Sequence, residues 1–277
     1  MKEKESGISL LEQMPMESHE AEHLQMSETD RLLCLAMDVG EHMLRCGGEI
    51  HRVEDTVERI CRAYGAAHVE VFVIPSLVMA AIRMSDGAYS SQIRRVYRTA
   101  KDFYKLEQFN RISRVMCGER PDFDEAERMI REAKHAKPYS DFWVFLGTVL
   151  LSGGFAIFFG GSWRDALAAS MVCLILAVIE RLLGNHINEM AKTFFLSFVL
   201  GVLSFLSVAV GIGQDIGIVT IGVIMMLIPG IEMGNALRDL LYGNLLSGSL
   251  RIAQSVLLAA MIALGYAASL FVTGGML

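Results

Sequence analysis

The second half of this chain is almost free of charge. Residues 142–277 hold 5 of the 25 Lys and Arg side chains and 6 of the 31 Asp and Glu. The uninterrupted apolar windows run Phe142–Trp163, Ala166–Ile179, Thr193–Gln214, Ile216–Ile231 and Ile252–Leu277, against the roughly 20 residues a helix needs to cross hydrocarbon. Five crossings are the natural count. The second window is short unless Glu180 and Arg181 pair or reach the interface, and the fourth is short because of Pro229. The expected fold is therefore a membrane protein. A flexible acidic tail (1–28) and a small cytoplasmic α+β domain (29–138) precede an all-α bundle of five transmembrane helices (139–277), the fourth broken at Pro229–Gly230.

Positive charge beside the spans sets their orientation, since Lys and Arg in short loops favour the cytoplasmic side. Arg120, Arg128, Arg131, Lys134 and Lys137 precede the first window. Arg181 and Lys192 lie between the second and third, and Arg238 and Arg251 between the fourth and fifth; the opposite side has Arg164, beside Asp165. The expectation is a multi-pass protein of the plasma or inner membrane, with its N-terminal domain in the cytoplasm and its C-terminus outside. A net charge of −6 supplies no basic surface for nucleic acid. Five cysteines without CxxC spacing argue against a disulfide framework and a zinc ribbon. The opening residues lack the apolar core of a secretory signal and are too acidic for a transit peptide.

In the charged half the pattern is helical from about Thr29 to Tyr64, with Val53, Val57, Ile60, Cys61 and Tyr64 on one stripe and Gly65 ending it. Residues 68–76, 77–84 and 88–96 read as strands, the last two joined at Asp86–Gly87. Helices around Phe103–Cys117 and Asp124–His135 follow. The sequence HEAEH (His19–His23) fits the zinc pattern HExxH, but it sits in an acidic tail where nothing supplies a buried helix or a third ligand. A second polar group, Glu49, His51, Glu54, Asp55 and Glu58, forms a candidate surface. Its simplest reading is a solvated helix in which Asp55 pairs with Arg59 and Glu58 with Arg62 at spacing four. A regulatory or hydrolytic surface is the alternative. No cofactor and no resident metal are expected.

The stretch Ile224–Asn244, IMMLIPGIEMGNALRDLLYGN, carries the chemistry. Proline lacks an N–H and its ring clashes with the preceding turn. In lipid, the freed backbone groups persist only against protein or a water-filled cavity. A half-helix starting near Ile231 would aim its positive end at a carboxylate. Arg238, two turns on, offers a planar fork for the same group, while Glu232 and Asp239 could neutralise it or carry a proton. Gly243, Asn244, Ser247 and Gly248 add small and polar positions at spacing four. In the third window Ser197, Gly201, Ser204, Ser207 and Gly211 share a face suited to helix packing or to solute lining. The candidate binding set is Pro229, Gly230, Glu232, Arg238, Asp239, Asn244 and Ser204. An ordinary cytoplasmic loop, with Arg238 serving topology alone, is the competing reading.

Four stretches, GGEIHRVEDTVERICRAYGA (47–66), VIPSLVMAAIRMSDG (73–87), FFGGSWRDALAA (158–169) and IPGIEMGNALRDLLYGNLLSGSLR (228–251), resemble the threonine/serine exporter family. The resemblance spans nearly all of Thr29–Leu277. It implies a cytoplasmic domain ahead of membrane helices, a small carboxylate cargo (an amino acid or a dicarboxylate such as succinate) and about ten helices in a complete exporter. This chain would then need a separate five-helix partner subunit, and the pair leaves room for a higher oligomer. Two other classes compete: a membrane-tethered metal-dependent hydrolase using His51, Glu54 and Glu58, and a metabolite sensor or scaffold without flux.

Overall fold

The computed structural model describes residues 26–97, 102–136, 140–184 and 187–274. The HEAEH motif and most of the acidic tail lie outside them. The chain separates into two units, Met1–Lys137 and Pro138–Leu277, each with its own apolar core.

In the first unit, helix α1 (Glu28–Arg45) starts at Ser27, whose hydroxyl accepts the Asp30 amide at 3.1 Å. The expected continuous helical pattern to Tyr64 is interrupted. Gly47 takes φ +90°, and Gly48 lies so close to α1 that a Cβ would stand 2.8 Å from the Met43 carbonyl oxygen. Helix α2 (Ile50–Ala63) then begins, burying Val53, Val57, Ile60 and Cys61 as the stripe predicts. Strands β1 (Ala66–Ile74), β2 (Leu77–Met84) and β3 (Tyr89–Arg95) form an antiparallel sheet in that order. Ile74 pairs with Leu77 across a two-residue turn. Gly87, at φ +91°, turns β2 into β3, where the Met84 amide donates to the Ala88 carbonyl at 2.8 Å.

Helices α3 (Phe103–Gly118) and α4 (Phe123–His135) are N-capped by Asp102 and Asp122. Val73, Val78, Ala80 and Ile82 from the sheet join Leu33, Met37, Phe109 and Ile130 in the core. Each large side chain so buried contributes about 1.5–3 kcal/mol.

The second unit contains helices α5 (Asp141–Phe158), α6 (Trp163–Leu183), α7 (Glu189–Ala209), α8 (Ile216–Ile224), α9 (Gly230–Leu241) and α10 (Leu245–Gly274). Among the described residues α6, α7 and α10 are long and apolar enough to cross a membrane, while α5 has a shorter apolar stretch, Phe142–Phe158. The five windows thus become three full-length helices, one shorter helix and a divided segment. The second window is not short: α6 takes Arg164 and Asp165 into its first turn and Glu180 and Arg181 into its last. Large apolar side chains point outward, with Phe271 86%, Leu182 81% and Phe158 78% exposed. That is the reverse of a water-facing surface.

Among the described residues, three sets of polar or close contacts join α5, α6, α7, α10 and the entry of α8. The Ser152 and Ser170 hydroxyls on α5 and α6 donate across to Ala169 O (3.2 Å) and Val149 O (3.0 Å). On α7, Ser197 donates to Ile262 O on α10 at 2.6 Å, and Gly201 admits Ser269 so closely that a Cβ would collide with it. These positions of the small-residue stripe serve packing. The third set centres on Asp165, 3% exposed. Its carboxylate accepts the Ser162 amide (2.9 Å) and hydroxyl (2.7 Å), and also the Gln214 (2.6 Å) and Asp215 (2.9 Å) amides. Asp215 in turn caps α8 through the Gly217 amide at 2.7 Å.

Candidate functional site

Helix α8 ends at Ile224, five residues before Pro229. Between them the chain tightens: the Met226 amide donates to Val223 O at 3.0 Å and Leu227 to Ile224 O at 2.9 Å, both spanning three residues. Pro229 caps α9 and brings no amide of its own, and Gly230 donates to Ile228 O at 2.8 Å. The fourth apolar window is therefore two helices joined by five non-helical residues, as the proline requires. Helix α9 carries Glu232 in its first turn and Arg238 in its last. At 1.5 Å per residue its positive end and Arg238 are about 12 Å apart, too far for one small solute to touch both. Glu232 already offers a carboxylate to the positive end.

Helix α9 packs along α10. Gly248 fits so tightly that a Cβ would lie 2.6 Å from Leu240 Cγ. Gly243, at φ +88°, turns the chain between them, and the Asn244 amide donates to Asp239 O at 2.9 Å. This arrangement buries two opposite charges: Asp239 is 1% exposed and Arg251 9%, with Arg251 Nε 3.5 Å from Asp239 Oδ2. Arg238, by contrast, is exposed. Arg251 reads from the sequence as an orientation signal, yet it shares a buried α10 face with Ser247 and Ser255 at spacing four. That polar spacing was the available clue. Ser204 stands apart on α7, fully buried, and its hydroxyl has no hydrogen-bond partner among the described residues.

A cavity of about 280 Å³ lies beside the break, framed by α5, α6, α7, the end of α8 and Met226–Leu227. Its inner wall is Cys173, Leu176, Leu196 and Val223, all buried. At its mouth stand Glu180, held by Lys192 at 3.2 Å, and Arg181, whose guanidinium lies 5.9 Å from the Phe145 ring centroid.

In the first unit the candidate surface is engaged in structure. Asp55 meets Arg59 at 3.2 Å and Glu58 meets Arg62 at 2.8 Å. Glu54 Oε1 accepts the Val73 amide of β1 at 3.0 Å, tying α2 to the sheet. Glu49 is the N-cap residue of α2, and His51 is exposed on its first turn. A tighter charge cluster, missed in the sequence, joins α1, β3 and α4. Arg94 contacts Asp38, Glu41 (3.4 Å) and Cys34 Sγ (3.0 Å), while Lys134 Nζ reaches Asp38 at 2.7 Å. Burial alone would raise the Asp38 carboxyl, but Arg94 and Lys134 together hold it below the usual carboxylate range.

A family model described as "Putative threonine/serine exporter" matches residues 34–273. A curated protein of Mycobacterium tuberculosis (strain ATCC 25618 / H37Rv), named "Probable threonine/serine exporter", is 23% identical over 248 residues, which are 87% of this chain and 46% of that relative. The chain thus spans less than half the length of the relative. No solved structure matches it. The match runs from α1 to the end of α10, across the divided helix and the buried charge pair alike, and on it the chain belongs to the threonine/serine exporter family.

Proposed function

We propose that this chain is the membrane subunit of an exporter for small carboxylate metabolites, threonine and serine or a dicarboxylate such as succinate. It works with a separate five-helix partner subunit. In this reading α5, α6, α7, the α8–α9 pair and α10 make five crossings, the first unit is cytoplasmic, and the C-terminus lies outside. The solute passes the divided helix. The observation that carries the reading is the non-helical stretch before Pro229 together with the Asp239–Arg251 pair buried just beyond it. Ionisable groups inside a membrane unit are costly to keep and mark transport paths.

Within that path, Arg238 and Arg251 offer guanidinium forks to a carboxylate, Asp239 and Glu232 balance them between cycles, and Asn244 and Ser204 offer uncharged polar groups. Because Glu232 lies in the first turn of α9, a solute carboxylate at the positive end of that helix competes with it. Cells expressing this chain with a five-helix partner should lose labelled threonine, serine or succinate faster than cells lacking either one. No efflux of any of the three, with both proteins in the membrane, would overturn the proposal. Arg238→Ala and Arg238→Lys should weaken efflux while expression persists; unchanged transport in both removes Arg238 from the path.

A further inference from the structure

The sheet of the first unit has two faces, and its core lies on one. Val73, Val78, Ala80 and Ile82 point into that core. On the same face Ser90 reaches Asp30 of α1 at 2.6 Å, and Arg94 reaches Asp38. Alternate residues stand on the opposite face, where the register sets out three cross-strand rows: Ile74, Leu77 and Arg95; Phe72, Met79 and Ile93; Glu70, Ala81 and Ser91. None of these side chains belongs to the core cluster. Phe72 is 47% exposed and Ile93 71%. A bulky apolar row running across every strand of a sheet, left open to water, marks an interaction surface.

The charges on this face indicate what it fits. Glu70 and Arg95 flank Met79 at opposite corners, each one strand and one row away from it. With strands about 4.8 Å apart and rows about 6.8 Å apart, both Cα atoms lie about 8 Å from that of Met79, in opposite directions. Neither residue is in an ion pair among the described residues; Arg95 lies 4.9 Å from the Tyr97 ring centroid, a contact that leaves its charge in place.

Two such faces complement each other. Take a two-fold axis between them that passes Met79 at right angles to the diagonal from Glu70 to Arg95. It sets Glu70 of each copy opposite Arg95 of the other, and Met79 meets its own counterpart. Phe72 of each copy comes over Ile74 and Leu77 of the other. The next row, His68, Arg83 and Tyr89, falls outside the overlap, so Arg83 has no arginine opposite it. The strands cross steeply, toward the orthogonal class of sheet packing.

We infer that the outer face of this sheet is a self-association surface, on which a second copy of the chain packs about that two-fold axis. The apolar rows supply the burial, and the Glu70 to Arg95 contact, made twice, fixes the register. This rests on the fold of the first unit and not on the identity of the cargo.

The test uses the full chain purified in an uncharged detergent. Met79→Cys stands on the axis, so a short bismaleimide should join position 79 of one chain to position 79 of another, read on the linked peptide. Arg83→Cys, on the same strand but outside the overlap, should give at least tenfold less of its own linked peptide. Charge reversal tests the register without a cysteine, and Glu70 and Arg95 are both exposed, so the fold tolerates it. In native mass spectrometry Glu70→Arg and Arg95→Glu should each lower the dimer fraction at least fivefold, and a chain carrying both should return to within twofold of the unmodified protein. Equal linking from Met79→Cys and Arg83→Cys, a dimer fraction indifferent to the reversals, or a double variant no better than the singles would each overturn the assignment. A benzophenone carried on the cysteine introduced at position 79 should capture the sheet of a second chain; capture of residues 1–25 or of lipid in its place would overturn it as well. Neither readout involves transport, so a failed efflux experiment leaves this result intact.

Discussion

The two units use charge in opposite ways. In the first, ion pairs are plentiful and sit at or near the surface, as in Asp55–Arg59, Glu58–Arg62 and Arg31–Asp124. Exposed pairs of this kind are each worth little, and the fold survives the loss of one. In the second unit charges are scarce, and Asp165, Asp239 and Arg251 are buried. A charge withdrawn from water is stable only with a partner in place. The same residue type is therefore decoration in one unit and a structural commitment in the other.

Substitutions can break this contrast, and the largest effect belongs to the buried pair. Asp239→Ala or Arg251→Ala strands the opposite charge and should cost about 3–5 kcal/mol, read as a lower unfolding midpoint of the full chain in detergent. The double variant Asp239→Asn with Arg251→Gln should recover much of that loss. A double variant no better than the singles would show that each charge has its main partner elsewhere.

Asp165→Ala comes next. It deprives two Ser162 donors and the Gln214 and Asp215 amides of one acceptor, which should cost about 2–3 kcal/mol. Asp165→Asn should keep part of the stability, and hydrogen exchange at the start of α8 should rise in both variants.

Within the first unit the Asp38 cluster should matter less. Asp38→Asn should cost about 1–2 kcal/mol, seen as faster amide exchange in α1 and β3. The folded carboxyl titrates below its usual value. Its contribution is therefore complete above about pH 4, the unfolded value, and is lost as the pH falls through the folded one. The Asn variant should lack that acid-side dependence. At the bottom of the scale, Asp55→Ala and Glu58→Ala should each change stability by less than about 0.5 kcal/mol. A loss above 2 kcal/mol at either position would erase the contrast between the units.

Features governed by local chemistry were legible in the sequence. Pro229 divides the fourth window, Asp86–Gly87 turns β2 into β3, and the acid-before-base spacing on α2 produces the ion pairs it predicts. What the sequence concealed depended on distant partners or lay under a stronger periodic pattern. The adjacent glycines 47 and 48 mark the gap between α1 and α2, which the wider helical pattern obscures. Glu180 and Arg181 look like the end of a span but fall in the last turn of α6, where Glu180 meets Lys192, 12 residues on. Asp165 is held by amides 49 and 50 residues away, and no spacing rule reports such a contact. For the candidate site, the divided helix was readable and Arg251 was not, since a lone arginine between apolar stretches has the same appearance whether it marks topology or answers a buried aspartate.

Two of the four donors gathered on Asp165, the Gln214 and Asp215 amides, moor the entry of α8 to the head of α6, while the far end of α8 runs into the five residues before α9. The two ends of this helix are thus held by different means: the entry by a carboxylate, and the far half by the buried Val219 and Val223. A change at Asp165 acts on the first and leaves the second seated.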